Sequence, residues 1–177
     1  MHGVFMSQNT LKQTTKISYL LLCLLQYPSY ALDADRFCAM QISAEYVDIN
    51  QLLRQGTYTN DVILDQGTTH LRAAKAITHM NDKNKFIKAT AYGDKSQQAH
   101  CWTTLDEQKP PLHAFADKIT YHPEIDVLEL SGSARIMQGK DSFSAPYIRY
   151  NTKNKHVVTK KIKNERTTII IQQEKKK

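Results

Sequence analysis

Histidine, cysteine and carboxylate side chains are the groups in this 177-residue chain that could act as nucleophiles, acid–base groups or metal ligands. The closest approach to a nucleophile–base pair is His100-Cys101, yet adjacent residues on a strand point to opposite faces of a sheet. The other histidines do not stand at metal-ligand spacing from cysteines or carboxylates, and the chain carries no Gly-x-Ser-x-Gly elbow and no phosphate-binding loop. The sequence therefore predicts no catalytic residue, no metal site and no cofactor.

The elements that must position these side chains are strands, because apolar and polar residues alternate from His113 to Tyr150. Turn-forming residues interrupt this segment at 122–124, 131–133 and 138–141, and no helix of useful length fits between them. The chain is therefore predicted to be all-β. The apolar positions of the alternation are Ile119, Tyr121, Leu128, Leu130, Ala134, Ile136, Ile148 and Tyr150.

The same segment matches an earlier one at a constant offset of 72 residues. Residues 44–48 match 116–120, residues 62–67 match 134–139, and residues 73–76 match 145–148. This offset predicts two similar halves, whose strand units bury their apolar faces by stacking on one another. The predicted joint between the halves is 106–111, which contains Pro110-Pro111.

Further strands are expected on both sides of this segment. A hairpin is predicted at Asn60. The last strand carries Ile169-Ile170-Ile171, which is apolar on both faces and would present an open edge to a partner strand. The additional predicted strands are 36–42, 44–49, 61–65, 71–79, 86–92, 99–102, 156–162 and 167–171.

The opening segment has the pattern of a secretory signal peptide. Lys12 and Lys16 flank an apolar run at 17–25, and Ser29-Tyr30-Ala31 offers a small-x-small cleavage site. An uncleaved anchor is the alternative, although the run is shorter than the roughly 20 residues of a spanning helix. The predicted organisation is a cleaved signal peptide at 1–31, one domain at 32–171 and a basic tail at 172–177.

The chain is basic, with 24 Lys+Arg against 17 Asp+Glu and a formal net charge of +7. The excess is concentrated after residue 152 and ends in Lys175-Lys176-Lys177. Such a segment is typical of a solvated tail, and its alternative role is attraction to anionic partners such as phosphorylated lipid head groups. Nucleic acid is not expected as a partner, because no aromatic-basic recognition motif accompanies the charge.

Two cysteines, Cys38 and Cys101, follow the predicted cleavage site. Export to an oxidising compartment would permit a disulfide between them, whereas a β core would hold them as two small apolar side chains. The spacing alone leaves both possibilities open.

The order of motifs in the second half resembles the OstA-like family of lipopolysaccharide-transport proteins. Ala116-Asp117-Lys118-Ile119-Thr120-Tyr121, the strand 127–134 and Gln138-Gly139 follow one another as in the family's repeated pattern. The resemblance spans roughly Met40 to Ile171, and the short domain with its signal peptide favours the periplasmic members. Weaker counterparts in the first half are Ala44-Glu45-Tyr46-Val47, Asn60-Asp61-Val62 and Gln66-Gly67.

The resemblance implies an open, twisted antiparallel β-jellyroll in the periplasm, whose groove shelters the lipid A acyl chains of lipopolysaccharide. It also implies that copies join end to end. Edge strands would pair with the inner-membrane anchored and the outer-membrane OstA-like components, so that the protein bridges the two membranes. The family is not enzymatic. Residues at positions resembling the family's lipid-facing ones are Met40, Ile42, Cys101 and Tyr121.

Alternation adds six further positions to the expected lipid-binding set, since they lie on the apolar face of the predicted strands. For any one of them, filling a closed core is the alternative role. The six are Ile119, Leu128, Leu130, Ile136, Ile148 and Tyr150.

Two other functional classes stay open at the level of sequence. A β-repeat scaffold or interaction protein of the cell envelope would have no lipid ligand and would show only edge-strand association. An enzyme, the weaker hypothesis, would lose its activity when His100 or Cys101 is replaced.

Overall fold

All regular secondary structure in the described residues is β-strand. The computed structural model describes residues 38–160 and 166–172. The predicted signal peptide at 1–31 and all of the predicted tail except Gln172 lie outside these ranges. Within them, no helix is long and apolar enough to cross a membrane.

Twelve strands follow one another along the described chain. Four of them are long, and the others are short strands that pair with the ends of the long ones. The strands are β1 Gln41–Ser43, β2 Tyr46–Asn50, β3 Gln55–Gln66, β4 Thr69–Met80, β5 Phe86–Tyr92, β6 Ala99–Thr103, β7 Leu112–Ala116, β8 Lys118–His122, β9 Val127–Gln138, β10 Asp141–Asn151, β11 His156–Lys160 and β12 Thr168–Ile170.

The long strands β3, β4, β9 and β10 pass through two layers, because each pairs with different partners at its two ends. The first part of β3 pairs with β2, and its last part pairs with β1. We call the two layers sheet I, with the order β2-β3-β4-β5-β8-β9-β10-β11, and sheet II, with the order β1-β3-β4-β6-β7-β9-β10-β12. All pairs are antiparallel, so the fold is the predicted twisted, all-β jellyroll.

The two halves of the fold share their strand bounds and their unusual backbone positions at a separation of 72 residues. Strands β2 and β3 recur exactly 72 residues later as β8 and β9. The ladder between β3 and β4 is broken at Asn60 and Asp61, whose φ angles are 65° and 43°. Their counterparts in β9, Gly132 and Ser133, have φ angles of 79° and 44°.

These positive-φ pairs correct two predictions made from the sequence. The expected hairpin at Asn60 and the expected turn at 131–133 both lie inside long strands, as bulges in β3 and β9. Asn, Asp, Gly and Ser favour bulges and turns for the same reason, since both need residues that tolerate positive φ. The prediction that β5 spans 86–92 is confirmed.

The interior between the sheets is filled in the second half and open in the first. Leu130 and Ile148 have no solvent exposure and anchor the core. At the repeat position of Ile148 the first half has Ala76, and at those of Leu128 and Tyr150 it has Gly56 and Thr78. These smaller side chains cannot fill the same volume, so the first half retains a gap between its sheets.

Candidate functional site

The gap between the two sheets is a groove with an apolar lining. Its volume is about 1150 Å³ when its open mouth is included. Among the described residues none that lines it carries a charged side chain. Lining side chains include Met40, Ile42, Val62, Leu64, Leu71, Phe86, Ala89, Ala91, Cys101, Leu105, Leu112, Ala114, Ile119, Tyr121, Leu128 and Tyr150.

A second depression continues the groove toward the second half. The two share Leu105, Leu112 and Tyr150 in their linings. The second depression adds the apolar side chains of Phe143 and Val157. Polar residues that also line it are Asp106, Lys109, Gln138, Asp141 and Lys155. The apolar surface is therefore long and reaches solvent past charged side chains.

Seven of the ten residues expected to bind lipid line the groove. They are Met40, Ile42, Cys101, Ile119, Tyr121, Leu128 and Tyr150.

The other three expected residues lie elsewhere. Leu130 and Ile148 are fully buried in the packed core, and Ile136 is buried against the second depression. Alternation predicts correctly that these side chains face inward. It does not reveal whether the opposite sheet has already filled the space they face.

Sequence reasoning missed several groove residues on β3, β4 and β5. Leu64 and Leu71 lie 72 residues before Ile136 and Phe143, so the repeat itself was the signal that could have found them. Phe86 begins β5 and lacks such a counterpart, because His156 begins β11, which is 70 residues later.

Cys101 is the one side chain in the groove with a nucleophilic atom among the described lining residues. Burial raises the pKa of its thiol to about 12, so the thiol stays protonated and apolar at neutral pH. Its neighbour His100 faces the other side of sheet II, where it contacts Trp102 and Phe115. The groove can therefore hold an apolar ligand, and it offers no nucleophile–base pair to act on one.

The histidines do not come together with cysteines or carboxylates in the folded chain. In the described ranges, no group of three or more potential ligand side chains could hold a metal ion. Thr78 and Thr90 are buried polar residues beside the groove, and both are uncharged. The chemistry of the site is therefore apolar contact.

The profile of the family described as "LptA/(LptD N-terminal domain) LPS transport protein" matches residues 41–156. The chain belongs to this family. Membership places it among lipopolysaccharide (LPS) transport proteins, which act in transport and binding and are not enzymes. Its partners are, in general terms, the components of the LPS-transport machinery.

A solved structure shares the fold of this LptA-family chain. It is LptH from Pseudomonas aeruginosa, described as the LptA homologous periplasmic component of the conserved lipopolysaccharide transport device. The two superpose with a TM-score of 0.72 at 20% sequence identity, covering 82% of this chain and 100% of LptH. A comparison with curated proteins found no match.

Proposed function

We propose that this LptA-family chain binds lipopolysaccharide by sheltering the lipid A acyl chains in the groove between its sheets. The observation that carries the proposal is the groove lining, which joins apolar side chains of both sheets without a charged group. Each methylene moved from water into such a lining contributes about 0.8 kcal/mol. Acyl chains supply many methylenes, so interchangeable apolar contacts are sufficient to hold them without a catalytic group.

The proposed place of action is the periplasm, where the chain bridges the inner and outer membranes. Residues 1–31 would act as a cleaved signal peptide, residues 32–171 as the OstA-like domain and residues 172–177 as a basic tail. A hydrophobic lipid needs shielding while it crosses an aqueous compartment, and a groove open at its mouth would allow it to enter and leave.

End-to-end pairing of copies is supported by the apolar edges of the fold. On β2, Val47 and Ile49 are more than half exposed, and β12 exposes Ile169 and Ile170. Edge strands with unpaired backbone groups and apolar side chains readily accept another strand. The same edges would serve the inner-membrane anchored and the outer-membrane OstA-like partners.

The junction between the two halves supplies a template for this pairing. Inside the chain, Cys101 of β6 stands opposite Ala114 of β7. Ile169 of β12 occupies the place of Cys101, because it pairs with Phe143 as Cys101 pairs with Leu71, 72 residues earlier. Ile42 lies 72 residues before Ala114. The repeat therefore places Ile169 of one copy opposite Ile42 of the next.

Photo-crosslinking tests the proposed lipid site directly. A photoreactive amino acid at Ile42 or Tyr121, which line the groove, is expected to capture lipopolysaccharide in cells. The same amino acid at Lys118 or Glu129, which flank the inward-facing Ile119 and Leu128 on their strands, is the matched control and is expected to capture none. Mass spectrometry of the purified protein should detect lipid A. Equal capture at all four positions, or capture at none, would overturn the proposal and favour a scaffold without lipid.

A further inference from the structure

The outer face of sheet II, opposite the groove, carries a group of stacked rings flanked by arginines. Two rows of side chains cross β4, β6, β7 and β9 in register. The first row is His70, Trp102, His113 and Met137, and the second is Arg72, His100, Phe115 and Arg135. We call Arg72, His100, Trp102, His113, Phe115 and Arg135 the outer patch.

The rings of the outer patch stack on one another along the sheet. The ring of His100 lies 4.7 Å from that of Trp102 and 4.2 Å from that of Phe115. The guanidinium of Arg135 covers Phe115 at 5.1 Å, and His100 Nε2 lies 3.0 Å from His113 Nδ1 in a hydrogen bond. Because ring faces meet each other, the ring edges, which carry the positive end of the quadrupole, are what remains for solvent.

The fold does not require these side chains, as the internal repeat shows. In the second half the positions that correspond to His70 and Arg72 are Ser142 and Ser144. In β12, Thr168 takes the place that His100 has on the neighbouring long strand. The same sheet geometry is thus built without rings or arginines, so the outer patch needs an explanation other than folding.

The outer patch has an excess of positive charge. Arg72 and Arg135 are exposed, and neither forms an ion pair with another described residue. The nearby acid, Asp65, is already in contact with His70. The two arginines stand on strands separated by three strand spacings, roughly 14 Å. Between them lie the half-buried rings of His100 and Phe115.

We propose that the outer patch docks this protein on the surface of a bilayer that contains anionic phospholipids. Arginines complement lipid phosphates, and an indole flanked by apolar side chains is favoured at a membrane–water interface. Trp102 and Phe115 form the apolar part, and exposed Ile170 lies on the same outer face beyond β10. An acidic protein partner would use the arginines but gains less from the apolar part.

Docking through the outer patch would leave the groove free. The patch and the groove lie on opposite faces of sheet II, since Cys101 lines the groove and His100 belongs to the patch. A lipid could therefore enter or leave beside the bilayer while the protein is held there. The inference goes beyond lipid binding in the groove and does not depend on it.

Sedimentation with vesicles tests the inference. The full chain is expected to bind phosphatidylcholine vesicles that contain phosphatidylglycerol and to bind pure phosphatidylcholine weakly. The double variant Arg72→Ser, Arg135→Ser is expected to bind the anionic vesicles about tenfold more weakly, since each basic residue near such a surface contributes to binding. The matched control is Lys75→Ser, Lys118→Ser, which removes the same charge from the exposed outer face of sheet I.

Three outcomes would overturn the inference. One is an equal loss of vesicle binding in both double variants, which would indicate attraction by net charge alone. Another is failure of the full chain to prefer anionic vesicles. The third is binding of polyglutamate at the outer patch with no vesicle binding, which would indicate an acidic protein partner. The single variant Arg72→Ser guards against a folding defect, because Arg72 does not cover a ring. Crosslinking of lipid at Ile42 should be unchanged in all variants.

Discussion

Cys101 faces the groove between the sheets, whereas its neighbour His100 stacks between Trp102 and Phe115 on the outer face of the same sheet. One strand therefore contributes to two surfaces of opposite character. The inner surface is apolar and uncharged, and the outer surface is cationic. Residue-level changes on β6 and its neighbours can consequently test the two surfaces separately.

Filling the groove should weaken lipid capture. Ala89 is half-buried and lines the groove, so Ala89→Phe would place a ring in the space proposed for an acyl chain. We expect capture of lipopolysaccharide by a crosslinker at Tyr121 to fall at least fivefold, with a stability cost of about 1 kcal/mol. Lys88→Phe, which adds the same ring at the adjacent, outward-facing position, is the control. Equal capture in both variants would contradict the proposed site.

Disrupting the terminal edge should prevent end-to-end association. Ile169 is 53% exposed on β12, and Ile169→Asp places a charge on the edge proposed to pair with β1 of the next copy. Sedimentation velocity at high concentration should show oligomers for the unmodified protein and monomers for this variant. Ile125→Asp is the control, because Ile125 is 54% exposed in a turn away from that edge. A strict monomer before any substitution would refute the pairing.

Stability should fall on acidification because of His100. Burial, followed by the charges of His113 and Arg72, lowers the pKa of His100 from 6.5 to about 4. Between these values the unfolded chain binds a proton that the folded chain does not, so stability is lost as pH falls from 6.5 toward 4. We expect the loss to be about 1 kcal/mol, since His100 is partly exposed and screened by solvent.

The variant His100→Phe isolates this contribution. Phenylalanine keeps a ring between Trp102 and Phe115 but cannot take up a proton. Urea unfolding at several pH values should show a shallower fall in the free energy of unfolding for the variant between pH 6.5 and 4. The same slope in both proteins would show that other groups carry the pH dependence.

Gly132 should tolerate no side chain. Its φ angle is 79°, and a Cβ at this position would collide with the carboxylate of Asp117. We expect Gly132→Ala to lower the free energy of unfolding by about 2 kcal/mol or more. Urea unfolding measures the loss. The double variant Gly132→Ala, Asp117→Ser should recover part of it, and no recovery would assign the whole cost to backbone strain.

The sequence by itself determined the class of fold and the direction of most side chains. Alternation from His113 to Tyr150 identified strands, and the offset of 72 pointed to two similar halves, because period 2 and internal repetition are properties of the chain alone. The same reasoning identified Ile42, Cys101 and Tyr121, which line the groove. Bulges were mistaken for turns at Asn60 and at 131–133, since both need the same residues.

Only the tertiary structure decided where the interior is filled. Leu128 and Leu130 lie on the same face of one strand, yet the first lines the groove and the second is buried in the core. The difference depends on the volume of the side chains opposite, such as Ala76 in one half and Ile148 in the other. Those neighbours come from distant parts of the chain, so a local pattern cannot report them. The stacking of His100, Trp102 and Phe115 depends on strand register in the same way.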